Sequence, residues 1–245
     1  MRLAGKVTIV TGAARGIGKG IAAACVREGS KVLLVDLDPL VREVAAAMGA
    51  RAMVVDITEL GAAEAALAEV EREFGPLSGL VNNAARVDEA TLLTTTEEDW
   101  AGTMALNVTA PFRWSKVAVA AMLPRGTGSI VNISSIEATH VRPNHYAYVV
   151  SKSALNCMAR SIASDFGRQG IRANTISPGS VRTDRFAEYV EMYPGLEQKL
   201  QDMNYAGRIG NIEEFGNAAV YLLSDETPYL NGHEMVIDGA RTVVT

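Results

Sequence analysis

Short apolar runs alternate along this chain with longer stretches of helical periodicity. Residues 7–11, 31–35, 51–55, 80–82, 129–133, 172–176 and 234–237 read as strands, most of them almost continuously apolar. A strand with one wet face alternates apolar and polar residues. An unbroken apolar run implies burial on both faces, as in a parallel sheet covered by helices. Helical patterns fall at 16–28, 39–48, 59–74, 97–122, 147–168 and 211–223. The alternation predicts an α/β fold, an open, doubly wound parallel sheet of about seven strands with helices on both faces. No repeat, linker or charge block divides the chain, so residues 1–245 read as one domain. Residues 178–210 break the rhythm, and a partly helical insert of that length is expected to be a substrate lid or binding loop.

Composition narrows the function classes. Hydrophobic residues make up 48% of the 245 and charged residues 21%, a globular balance that excludes a disordered or low-complexity chain. The net charge is −5 and no Lys/Arg cluster is present, which argues against nucleic acid as a partner. No apolar run is long enough to span a bilayer, and the N-terminus lacks the apolar stretch of a signal peptide. Cys25 and Cys157 suggest neither a disulfide framework nor zinc spacing, so a reducing, cytoplasmic compartment is expected. His140, His145 and His233 make no metal-ligand spacing, and no metal is expected.

Ligands of doubly wound sheets bind beyond the carboxyl ends of the strands. After the first strand the chain reads Thr-Gly-Ala-Ala-Arg-Gly-Ile-Gly, Thr11 to Gly18, and opens into a helix. Gly12, Gly16 and Gly18 allow a sharp turn and close approach to a pyrophosphate, and the helix N-terminus offers N–H groups to it. An ordinary glycine-rich turn would look similar in isolation. Asp36 ends the second strand where a dinucleotide fold puts an acid on the adenosine ribose. It would repel a 2′-phosphate, which favours NAD over NADP. Arg15, able to reach a phosphate, is a contrary signal. Asp56, after the third strand, is a candidate for the adenine or for capping the next helix. Asn82, Asn83 and Ala84 follow the fourth strand and suit backbone packed beside a cofactor.

Ser134 and Ser135 follow the fifth strand. Tyr148 and Lys152 come next, four residues apart and therefore on one face of a helix. An ammonium beside a phenol, with a cationic nicotinamide adding to it, favours the phenolate. A phenolate can take the proton of an alcohol whose hydride leaves for the cofactor.

With these residues in place, the chain resembles a short-chain dehydrogenase/reductase over essentially its whole length, with the Rossmann-type sheet of that family. The family's glycine pattern falls on Gly12, Gly16 and Gly18, and its Tyr-x-x-x-Lys on Tyr148 and Lys152. Its serine stands about thirteen positions before the tyrosine, which selects Ser135 over Ser134. Its helix asparagine matches Asn107, and its proline–glycine turn matches Pro178 and Gly179. The resemblance implies that Tyr148 is the general acid/base and that Ser135 orients the substrate oxygen. It implies that Lys152 lowers the Tyr148 pKa and binds the nicotinamide ribose, and that Asn107 helps hold a relay water. Cofactor contacts are implied for Gly12, Arg15, Gly16, Ile17, Gly18, Asp36, Asp56, Asn83, Ala84, Tyr148, Lys152, Pro178, Gly179, Val181 and Thr183. Two positions depart from the pattern. Ala85 replaces the glycine of Asn-Asn-Ala-Gly, and Ala240 replaces the second glycine of Asp-Gly-Gly.

The segment from Glu137 to His145 is rich in polar groups. Glu137 and Arg142, with Ser135 and Tyr148, are the expected substrate contacts, and His140 and Asn144 are further candidates. Arg185, Phe186, Tyr189, Met192 and Tyr193 are expected to close the pocket. The expected reaction is NAD-dependent interconversion of a polar secondary alcohol, such as a polyol or sugar, and its ketone. An NADPH-dependent 3-oxoacyl carrier-protein reductase and a non-catalytic nucleotide sensor are the rival readings. Helices 97–122 and 147–168 resemble those through which the family forms homotetramers.

Overall fold

The computed structural model describes residues 1–243. Seven strands form one parallel sheet: β1 Val7–Thr11, β2 Lys31–Asp36, β3 Arg51–Val54, β4 Gly79–Asn82, β5 Gly128–Ile133, β6 Ile171–Pro178 and β7 Glu234–Ile237. Their spatial order is β3-β2-β1-β4-β5-β6-β7. The order reverses between β1 and β4, so the crevice beyond Thr11 and Asn82 is where a ligand is expected.

Helices cover both faces, among the described residues α1 Gly16–Arg27, α2 Val41–Met48, α3 Ala62–Glu73, α4 Glu97–Met104, α5 Ala110–Met122, α6 Tyr146–Phe166, α7 Asp184–Met192, α8 Leu196–Asp202 and α9 Ile212–Leu223. Successive strand residues serve opposite cores. Val10, Val32 and Leu34 join Ile21, Val44 and Phe215 under α1, α2 and α9. Ile9, Leu33 and Ile130 join Trp114, Met122 and Ile162 under α3, α5 and α6. This two-sided burial is why the strands read as unbroken apolar runs.

Three differences from the sequence reading bear on the site. The helix expected at 97–122 is continuous but widens into a π-helical turn at Ala105–Thr109, and Asn107 is fully buried in it. Asp56 does not cap the next helix, whose N-cap is Gly61. The insert carries α7 and α8, and a bridge between Val181 and Gly210 pins its two ends together. No described helix is long and apolar enough to cross a membrane.

Candidate active site

The ends of β1 and β4 are tied in a knot. The Thr11 hydroxyl donates to Val81 O (3.3 Å) and accepts from the backbone N–H groups of Asn83 (3.0 Å) and Ala84 (3.3 Å). The Asn83 side-chain amide donates to Thr11 O (3.0 Å) and Gly12 O (2.9 Å). A Cβ on Gly12, whose φ is +65°, would lie 2.7 Å from Ala84 Cα, and one on Gly18 would lie 2.1 Å from Gly12 O. These two glycines therefore serve the approach of the loop to β4, not only the approach of a ligand to the loop. Gly16 opens α1, and its N–H points to the Asp184 carboxylate at 3.4 Å. That amide, at a helix N-terminus that favours negative charge and only weakly held by Asp184, faces Ile17, Thr183 and Arg15 across a cleft.

A cavity of about 580 Å³ runs from this loop over β2 and β3, bounded by Gly12, Arg15, Asp36, Asp56 and Ala84. Asp36 keeps its carboxylate at the rim by accepting from Ala14 N (2.9 Å) and Asp38 N (3.0 Å). Arg15 is paired with Asp38 at 3.2 Å. The Leu40 N–H and the Arg15 guanidinium hold the Asp38 carboxyl below its ordinary value. Asp56 accepts from the Thr58 N–H (2.8 Å) and hydroxyl (2.7 Å), a local turn bond that leaves it on the cavity wall. Cavity, crowded glycine turn, helix N-terminus and strand-end carboxylate together fit a dinucleotide. Asp38, which neutralises the arginine at the rim, was missed in the sequence because its partner is 23 residues away.

The residues expected to handle the proton converge from β5 and α6. Ser135 follows β5, buried, and its Oγ accepts from Glu137 N at 3.1 Å. Ser134 instead donates to Lys152 O (2.9 Å) and anchors α6, which separates the two serines by role. The Lys152 ammonium donates to Ile133 O at 2.8 Å and lies 5.5 Å from the centre of the Tyr148 ring. Asn107 uses its amide on Arg86 O (2.9 Å) and Ser151 Oγ (3.0 Å) and accepts from Arg86 N (2.9 Å). Ser151 in turn donates to Tyr148 O at 2.7 Å. The Asn107 side chain is thus a brace between the β4 end and the helix turn that carries Tyr148 and Lys152. Its place in a π-helical turn is typical of functional sites.

The electrostatics reverse one expectation. Burial, and then the Glu137 carboxylate, push the Tyr148 phenol up to about 12, with Ser135 and Arg185 pulling against them. Burial pushes Lys152 down to about 7. The sequence reading had Lys152 and the cationic nicotinamide together lowering the phenol, and of these two the lysine does not act on it. Lys152 is itself too desolvated to hold a firm charge, and desolvation governs both groups.

A second cavity, of about 320 Å³, opens beside Ser135 and Tyr148. Glu137, Arg142, His145, Arg185, Phe186 and Tyr189 line it, whereas His140, Asn144, Met192 and Tyr193 do not. His145 is buried, bonds Glu137 Oε2 through Nδ1 (2.7 Å) and stands edge-on to Tyr148 with ring centres 6.0 Å apart. Thr183 lines this cavity and the cleft beside Gly16, which joins the two spaces. Gly179 lies on the same wall. Pro178 ends β6, and Val181 is buried at the base of the insert away from both cavities. Among the described residues no three His, Cys, Asp or Glu side chains gather as a metal site.

Known proteins share this arrangement. The family model described as enoyl-(acyl carrier protein) reductase matches residues 12–241. "Dehydrogenase/reductase SDR family member 6" of Xenopus laevis is 37% identical over 244 residues, covering 97% of this chain and 98% of its own. Galactitol 2-dehydrogenase (L-tagatose-forming) of Cereibacter sphaeroides is 37% identical over 251 residues, covering 99% of this chain and 97% of its own. The crystal structure of a gluconate 5-dehydrogenase from Burkholderia cenocepacia, in complex with NADP and tartrate, superposes with a TM-score of 0.93 at 28% identity, covering 100% of this chain and 98% of that one. With the sheet order, the glycine loop and the Ser135–Tyr148–Lys152 grouping, these matches place the chain in the short-chain dehydrogenase/reductase family, as an NAD(P)-dependent oxidoreductase.

Proposed function

We propose that this protein oxidises a polar secondary alcohol, of the polyol or sugar kind, to its ketone with NAD, and catalyses the reverse reduction. The observation that carries this is the opening of one charged cavity onto both Ser135 and Tyr148, joined at Thr183 to the cleft over the glycine loop. Bound NAD supplies the hydride acceptor. The chain's own residues handle the proton and the geometry. Ser135 donates to the substrate oxygen and orients it. Tyr148 takes the hydroxyl proton as the alcohol carbon loses hydride. Lys152, near 7 and one turn away, accepts or returns that proton, and the cationic nicotinamide favours the phenolate. Asn107 keeps the helix turn in register through Ser151.

NAD is preferred over NADP in this reading because Asp36 and Asp38 both stand at the rim and Arg15 is already paired. Gly12, Arg15, Gly16, Ile17, Gly18, Asp36, Asp56, Asn83, Ala84, Pro178, Gly179, Val181 and Thr183 remain the proposed cofactor contacts, Asn83 and Val181 through the backbone they fix. The chain acts as one domain, with 178–210 as its substrate loop. The groove between α5 and α6, where Phe112 is 54% exposed beside Val119, Leu123 and Met158, is read as the subunit contact of a homotetramer. A reducing cytoplasm suits its free Cys157, which lies in that groove. The test is turnover with NAD on a panel of polyols, sugars and aliphatic alcohols, with NADP in parallel and light scattering for assembly. Preference for long aliphatic alcohols, or for NADP, overturns the corresponding part.

A further inference from the structure

Three guanidinium groups face the substrate cavity: Arg142 from the loop before α6, Arg185 from α7 and Arg241 from the C-terminal tail. None of the three has a carboxylate within ion-pairing distance among the described residues. Arg182 and Arg208, nearby in the same insert, are paired with Glu197 and Glu214. The two carboxylates on the cavity wall are engaged elsewhere, Glu137 with His145 (2.7 Å) and Glu89 with the Tyr189 hydroxyl (3.2 Å). Three arginines against Glu89 and Glu137 leave one positive charge over, in a chain whose net charge is −5.

Arg241 is held there by construction. The Asp238 carboxylate accepts from Ala240 N (2.9 Å), Thr242 N (2.8 Å) and the Thr242 hydroxyl (2.7 Å), which curls the tail after β7. Ala240 sits at φ +65°, a left-handed conformation that a non-glycine residue adopts only at a cost. The turn delivers the half-buried Arg241, whose Nη1 donates to Ser180 Oγ at 2.9 Å. Burial lowers the Arg241 pKa; the Glu137 and Asp238 carboxylates act in its favour from beyond contact distance, and the Arg142 charge acts against it. Like charges gathered at the wall of a cavity, one of them half-buried with no carboxylate in ion-pairing contact, make a seat for an anion.

We propose that the substrate is a hydroxy acid whose carboxylate is bound by Arg241 and Arg142, with Arg185 closing over it from α7. This rests on the alcohol-oxidation reading of the same cavity. The carboxylate is a spectator: the secondary alcohol loses its hydride to NAD and its proton to Tyr148, and the acid group is unchanged. The single surplus charge matches a monoanion. Guanidinium forks match the two oxygens of a carboxylate.

The experiment compares kcat/KM for matched sugar acids and alditols, gluconate against glucitol and galactonate against galactitol, with glucitol 6-phosphate as a dianionic arm that has no carboxylate. Calorimetry with tartrate on the NADH-loaded protein, which has no hydride acceptor, reads the seat without turnover. The acids are expected to exceed the alditols at least tenfold. Arg241→Gln and, separately, Arg142→Gln are expected to raise KM for the acids roughly 10- to 100-fold with little change in kcat, the loss of a hydrogen bond to a charged group. Tartrate binding should weaken in parallel. Equal use of acids and alditols by the wild type, or variants that weaken both alike, overturns the anion seat and leaves alcohol oxidation standing. A preference for the phosphate arm also overturns the carboxylate assignment. If no alcohol is oxidised, the failure lies with the reaction, and tartrate binding lost in both variants still supports the seat. Arg142 lies on an exposed loop, so its variant keeps the test sound if Arg241→Gln fails to fold.

Discussion

Replacing Lys152 by methionine isolates the cost of burying an ammonium in the site. Lys152 is 2% exposed, its ammonium has one hydrogen bond, to Ile133 O at 2.8 Å, and burial brings it down to about 7 from 10.5. In the unfolded chain it keeps its proton until pH rises past about 10.4. Between those values the unfolded state binds the extra proton, so wild-type stability rises with pH there. Below pH 7 the folded state carries the full penalty, on the order of 5 kcal/mol for a shift of that size. From pH 7 to pH 9 the penalty falls by about 2 kcal/mol. Methionine has no such dependence, and the orphaned Ile133 carbonyl costs the variant the same at every pH. The wild type should therefore gain about 2 kcal/mol on Lys152→Met across that interval, whichever protein is the more stable at pH 7. Urea unfolding of the cofactor-free proteins at pH 7, 8 and 9, at one protein concentration, measures the difference, and other titrating groups cancel. A gap that stays constant, or moves in the variant's favour as pH rises, would show that Lys152 keeps its ordinary value and that desolvation does not rule the site.

Tyr148→Phe should fold and bind NAD as the wild type does while kcat falls by roughly 10²- to 10⁴-fold, the usual worth of a general acid/base, checked by steady-state kinetics and circular dichroism. Alcohol oxidation by the wild type should rise with pH as the phenol, raised to about 12 in the protein alone, is lowered by the cationic cofactor; a flat profile from pH 6 to 10 would place the proton elsewhere. Asp36→Asn keeps an acceptor for Ala14 N and removes the charge, so NADP affinity should rise at least tenfold relative to NAD in a fluorescence titration. Gly18→Ala puts a methyl 2.1 Å from Gly12 O and should cost about 1–3 kcal/mol, seen as a fall in Tm and weaker cofactor binding.

The sheet was legible because burial on both faces leaves an uninterrupted apolar run, a signal local to each strand. The helix over 97–122 was legible from an apolar pattern that recurs every three to four residues. Its π-helical turn was not, since a shift of hydrogen-bond partner at Ala105–Thr109 leaves the apolar pattern untouched. α7 is amphipathic and α8 is short, but neither buries a residue completely, so the insert was legible only as partly helical. Within the site, Ser135 could be separated from Ser134 by the spacing of the family, but the reason lies in where each hydroxyl points. The Arg15–Asp38 pair, the Asn107–Ser151 brace and the delivery of Arg241 all join residues distant in sequence. The direction of the Tyr148 shift was misread because charge is visible in a sequence and desolvation is not.

The knot of Thr11 and Asn83 has a kinetic consequence. The glycine loop after β1 draws its hydrogen bonds from the end of β4, inside the protein, and so holds its shape without a ligand. A loop that orders only on contact would charge its lost entropy against affinity and slow the encounter; a loop fastened beforehand does neither. Its amides should exchange with solvent deuterium about as slowly in the free protein as in the complex. The ordering that accompanies a turnover then falls to the insert pinned at Val181 and Gly210, whose helices rest on the surface and are free to open and close at little cost to the core.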